Sequence, residues 1–140
     1  MGKRRTKRVF KIDIMRIAVD FDGTCAKHDY PKIGEDVPFA ESVIKRMINE
    51  GHQIILYTMR SGKALEDAEK WFIDRDIPLY GVNVEPNQTK WTSSPKCDFD
   101  LTIDDKALGT PLILPMKGRK YVNWLEVEKI LEKQRVLSKK

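Results

Sequence analysis

The most constraining feature of this chain is a pattern of stops: its short apolar runs end on acidic or hydroxyl side chains. Residues 15–19 (MRIAV) are nearly unbroken apolar, as a strand buried on both faces of a parallel sheet should be, and give way to Asp20-Phe21-Asp22-Gly23-Thr24. Residues 54–57 run into Thr58, residues 79–84 into Glu85-Pro86-Asn87, and residues 99–103 into Asp104-Asp105. Between these runs the spacing is helical. Over 36–50, Ala40, Val43, Ile44, Met47 and Ile48 recur at i, i+3, i+4, with Asp36 as the expected N-cap, Pro38 early and Gly51 as the stop. Over 63–75, Leu65, Ala68, Trp71 and Phe72 form a second inner face, with Ser61 near its cap. Residues 86–96 are polar and turn-rich, hence a loop. A fifth strand fits 111–114, at an edge given its flanking prolines. Asn123 with Glu126 makes a capping box for a last helix through about 134. The order β-α-β-α-β-β-β-α predicts a three-layer α/β/α, Rossmann-like domain on a mostly parallel sheet.

Composition limits the classes of function. The 140 residues allow one compact domain, and 41% apolar content supports a core. No apolar run approaches the ~18–20 residues that span a bilayer, and none of signal-peptide length comes after the basic N-terminus. Two cysteines make no disulfide framework, so a cytoplasmic globular protein with no membrane role is expected. Met-Gly-Lys-Arg-Arg-Thr fits the loose myristoylation pattern at Gly2 and Thr6, a match too short to carry weight alone. The net charge of +5 is unevenly held: six cations and no acid lie in residues 1–11, so the remainder is close to neutral. The expected organisation is a basic, disordered arm over 1–12 and one catalytic domain over 13–140. The arm can contact a polyanion or serve as a solvated tail.

In an open parallel sheet the C-terminal ends of the strands share one edge, where ligand crevices lie. That edge collects Asp20, Asp22, Thr58, Asp104 and Asp105. Four carboxylates together repel unless a cation sits among them, and hard oxygen ligands suit Mg²⁺, with waters and a substrate phosphate completing its shell. Metal-assisted phosphoryl transfer is the chemistry such an edge suits. Taken singly, the Asp residues read as turn formers and Thr58 as a strand end. Ser61-Gly62-Lys63 lacks the rest of a P-loop, and two distant histidines with two cysteines have no zinc spacing.

Asp20-Phe21-Asp22-Gly23-Thr24 after an apolar strand resembles the DxDG(T/V) first motif of the haloacid dehalogenase (HAD) superfamily of phosphohydrolases. Thr58 resembles its second motif and Asp104-Asp105 its acidic fourth, in the family's order over roughly 15–110. The third motif is a single cation upstream of the last strand, for which Lys96 is preferred over Lys90. The ending Ser94-Pro95-Lys96 followed by Asp104-Asp105-Lys106-Ala107-Leu108-Gly109 is similar to small, capless members from bacteria and their phages.

The resemblance implies a Mg²⁺-dependent phosphatase acting on a phosphate monoester. Asp20 would be the nucleophile that forms an aspartyl-phosphate and Asp22 the acid–base. Thr58 and Lys96 would hold the phosphoryl group, with Phe21, Gly23, Thr24, Arg60 and Lys90 contacting substrate. Asp20, Asp22 through its carbonyl, Asp104 and Asp105 would hold the metal. The intervals between motifs are too short for a cap domain. They leave a flap over 25–36 carrying His28 and Tyr30, for which a solvated loop is the plainer reading, and a site open to a large substrate or to another subunit. Cys25 and Cys97 flank site positions and read as small filler. The expected partners are a phosphorylated small molecule, such as a sugar phosphate or nucleotide, or a phosphorylated nucleic-acid end. The rivals are a nucleic-acid-binding or adaptor protein on a HAD scaffold, and a non-hydrolytic phosphotransferase.

Overall fold

The computed structural model describes residues 12–140; the basic arm expected over 1–12 lies almost wholly outside them. Four strands form one parallel sheet in the order β3-β2-β1-β4. They are β1 (Arg16–Val19), β2 (Gln53–Leu56), β3 (Gly81–Val82) and β4 (Leu101–Ile103). Ile17 lies beside Ile54 of β2 and Leu101 of β4, which fixes the register on both sides of the central strand. Helices α1 (Ala40–Asn49) and α2 (Gly62–Ile73) provide the crossovers from β1 to β2 and from β2 to β3. The fold is mixed α/β on a parallel sheet with Rossmann-like connectivity, as the alternation of periods implied.

Alternation along the strands separates the two faces of the sheet. Ile17, Val19, Ile54 and Leu56 join one core with Val43, Ile44 and Met47 of α1, Phe72 of α2, and Trp124, Val127 and Leu131 of α3 (Trp124–Lys133). All three helices therefore cover one face. Arg46 of α1 reaches Glu128 and Glu132 of α3, and Arg75, just past α2, reaches Glu41 of α1. Arg16 points to the other face, and its guanidinium meets Glu85 and Asp98. That face is closed by the polar 83–99 segment, whose regular structure is a single 3₁₀ turn at Gln88–Lys90. The layer expected to be helical is thus an irregular strap, since Pro86, Pro95 and the polar residues between them offer no apolar stripe for a helix.

Two expected elements differ in detail. Asp36 does not cap α1. Val37 precedes Pro38 and is disfavoured from helix, so α1 starts at Ala40, and the Asp36 carboxylate instead accepts from Trp71 Nε1 (2.9 Å) and from Arg75. The fifth strand, β5 (Leu112–Ile113), is not an edge of the main sheet. It pairs antiparallel with β6 (Tyr121–Val122) in a separate hairpin. The last helix begins where its box placed it, with the Asn123 side chain accepting from the Glu126 N–H.

Candidate active site

Because β1 and β4 are adjacent and parallel, the residues after them are neighbours, and the Asp20 N–H donates to Ile103 O at 3.0 Å. Asp20, Asp104 and Asp105 each offer an oxygen within 4.8 Å of the others. Asp105 is buried: its Oδ2 lies 2.9 Å from His28 Nε2, whereas its Oδ1 has no hydrogen-bond partner. Asp20 Oδ2 accepts from the Thr24 hydroxyl (2.9 Å), which itself accepts from the Asp105 N–H. Burial and then the charge of Asp104 push the Asp20 carboxyl up to about 8. Burial also raises Asp104. Three crowded carboxylates, one of them with an orphaned buried oxygen, fit a hard cation that accepts oxygen ligands.

Asp22 is turned away from this cluster. Both of its oxygens are held by Arg60, Nε to Oδ2 and Nη2 to Oδ1, each at 2.8 Å. Arg60 is buried between the rings of Phe21 and Tyr30, and its remaining N–H groups go to the carbonyls of Pro31, Ala64 and Lys32. All five guanidinium donors are thereby in use. Arg60 is the bolt that fastens the 25–36 flap to the start of α2, and it has no donor left for a substrate. Asp22 also does not belong to the carboxylate group that could hold a cation.

The cavity at this edge has a volume of about 710 Å³. Thr58 lines it with its N–H bonded to Asn83 Oδ1 (2.8 Å) and its hydroxyl oxygen accepting from the Arg60 N–H (3.1 Å). The hydroxyl proton is then free to be donated into the cavity. Among the other expected substrate contacts, Phe21 is buried in the core, the Gly23 N–H is taken by Ala26 O (2.7 Å), and the Thr24 N–H by Phe21 O. Thr24 braces Asp20 and does not face a ligand.

Lys96 and Lys90 are not brought to the cavity. Lys96 precedes β4, and a residue before a parallel strand lies at the opposite end of the sheet from Asp104. The Asp100 N–H bonds to Arg16 O, at the start of β1. Lys96 is exposed, and Lys90 is exposed on the 3₁₀ turn. The cations lining the cavity besides Arg60 are Lys106 and Arg119.

Sequence reasoning passed over Asn83, which comes directly after β3 but fell inside the longer strand expected over 79–84, so the strand-end rule pointed past it to Glu85. It also took His28 for a solvated loop residue, whereas the side chain is packed on Asp105. Tyr30 is 64% exposed at the cavity rim, closer to the plain reading. Cys25 is fully buried, donates to Asp20 O, and has its thiol pushed up by burial, as a filler residue should. Cys97 lies by Lys96, away from the site.

No protein-family model and no curated protein matches this chain. Among solved structures it is similar to a conserved protein from Bacteroides thetaiotaomicron, 34% identical, with a TM-score of 0.72 over 87% of this chain and 93% of that one.

Proposed function

The chain belongs to the same family as that conserved Bacteroides protein, and within it we propose a cytoplasmic Mg²⁺-dependent phosphatase of HAD type that hydrolyses a phosphate monoester. The observation that carries this reading is the Asp20–Asp104–Asp105 group beside the Thr58 hydroxyl in one cavity. Asp20, Asp104 and Asp105 would hold Mg²⁺, with the Asp22 carbonyl as a further oxygen, and the bound ion neutralises charge on the phosphoryl group. Asp20 attacks phosphorus, the bond to the leaving oxygen breaks, and Asp22 gives that oxygen its proton. Water then attacks the phosphorus of the aspartyl-phosphate while Asp22 takes its proton, the bond between phosphorus and the Asp20 oxygen breaks, and Asp20 is left as a free carboxylate as inorganic phosphate departs. Thr58 donates to a phosphoryl oxygen throughout. Both Asp22 oxygens are held by Arg60, so acid–base work at the substrate requires its carboxyl to turn from the guanidinium.

The cation expected at Lys96 is reassigned to Lys106, whose own N–H donates to Asp104 Oδ1 (2.9 Å) and whose side chain lines the cavity. The substrate is a phosphorylated small molecule or a phosphorylated nucleic-acid end, and the basic arm contributes contacts to a polyanion. No helix among the described residues is long and apolar enough to cross a membrane. A panel of sugar phosphates, nucleotides and end-phosphorylated oligonucleotides tests the reading. Mg²⁺-dependent phosphate release from some of them supports it, and none from any overturns it. Binding without turnover would favour the adaptor reading.

A further inference from the structure

Between Asp105 and Glu126 the chain carries four cations, Lys106, Lys117, Arg119 and Lys120, and no acid. Three of these sit on the connection between β5 and β6, where Gly118, at φ +86, makes the turn. The hairpin is fastened to the turn just beyond Asp20 and Asp22. The Val122 N–H donates to Gly23 O (2.9 Å), and Trp124 Nε1 donates to Thr24 O (2.7 Å). Arg119, exposed at the turn of this hairpin, lines the carboxylate cavity. Its guanidinium makes no hydrogen bond or ion pair among the described residues, although Asp20, Asp104 and Asp105 line the same space. The other cavity arginine, Arg60, has no donor to give. A cavity of about 710 Å³, lined by carboxylates and by a guanidinium without a partner among the described residues, is larger than one phosphoryl group needs.

We propose that Arg119, carried by the β5–β6 hairpin, binds a second phosphate of the substrate, so that the preferred ligand bears two phosphate groups. This rests on the phosphatase reading for the position of the first phosphate. A guanidinium fork matches the oxygens of a phosphate better than an ammonium does, and the hairpin lysines add to its field. The shared chemistry is a phosphate monoester with a neighbouring phosphate, whether in a bisphosphorylated small molecule or at the phosphorylated end of a nucleic acid.

Calorimetric binding to the full chain carrying Asp20→Asn, in Mg²⁺ buffer at low salt, tests it without needing turnover. The probes are adenosine 5′-monophosphate, adenosine 3′,5′-bisphosphate and 5′-phosphorylated oligothymidylates of increasing length. The bisphosphate should bind about tenfold more tightly than the monophosphate, and Arg119→Ala should bring that ratio towards one, with Arg119→Lys restoring part of it. A ratio near one in the parent, or one that Arg119→Ala leaves unchanged, overturns the proposal. Affinity that grows with oligonucleotide length, and loses part of that growth in Arg119→Ala, identifies the nucleic-acid source. A gain confined to the bisphosphate identifies the small molecule. Wild-type protein that hydrolyses no phosphate ester while the ratio holds removes the phosphatase reading and leaves the second-phosphate site standing. Hydrolysis with a ratio of one does the reverse.

Discussion

At Gly23 the chain tolerates no side chain, for two separate reasons. Its φ is +81°, and a Cβ there would collide with His28 Nε2 and with the Asp105 carboxylate. Gly23→Ala should cost about 1–3 kcal/mol, read from denaturant unfolding, and should weaken divalent-cation binding by prising His28 from Asp105. Asp20 offers a test by pH. Its folded value of about 8 lies above the ordinary 3.8, so the folded state binds that proton more tightly than the unfolded one. Its contribution to stability is full below the ordinary value and is lost as pH rises towards about 8. Melting in the presence of a chelator should therefore fall between pH 5 and 8, and Mg²⁺ or Asp20→Asn should flatten the slope; an equal slope in all three would contradict the buried-carboxylate picture. Arg60→Ala strands Asp22 and three backbone carbonyls, and should destabilise by about 3 kcal/mol or more, with Arg60→Lys recovering little because one ammonium cannot replace the fork. Asp20, Thr58 and Asp104 were legible because a polar residue after a buried strand is a local signal. The pairing of Asp22 with Arg60, 38 positions apart, has no such local mark.

At the level of elements, periodicity located every α-helix and all the strands of the main sheet, and it failed where backbone direction or short-range stereochemistry decides. The six-residue third strand expected over 79–84 shrinks to Gly81–Val82, because Asn83 turns into the left-handed region at φ 60° and its side chain is drawn to the Thr58 N–H. Strand β6 is two residues beside a run of cations, too short to register as a period. Lys96 was placed by sequence proximity to Asp104, yet the length of β4 lies between them and sends the two residues to opposite ends of the sheet. Removing Lys106 should consequently cost more turnover than removing Lys96, by about tenfold or more if Lys106 faces the developing phosphoryl charge. The reverse order in paired steady-state assays would restore Lys96 to the site.

Across the whole molecule, one helix-covered face and one strap-covered face bury Ile17–Val19 of β1 and Ile54–Leu56 of β2 completely, so the sheet is a rigid base and chemistry is left to the loops at its C-terminal edge. The near-neutral body and the cationic 106–125 stretch place positive charge beside the carboxylate cavity, where an anionic ligand would be drawn in. The proposed mechanism stands or falls on Asp20 acting as a covalent, cation-dependent nucleophile at this edge. The direct measurement is inorganic phosphate released from a panel of phosphate monoesters by the full chain with Mg²⁺, with excess chelator, and as the Asp20→Asn variant with Mg²⁺. Release is expected in the first case and none above background in the other two, with the variant still folded. Release by Asp20→Asn at a rate comparable to the parent would contradict the mechanism.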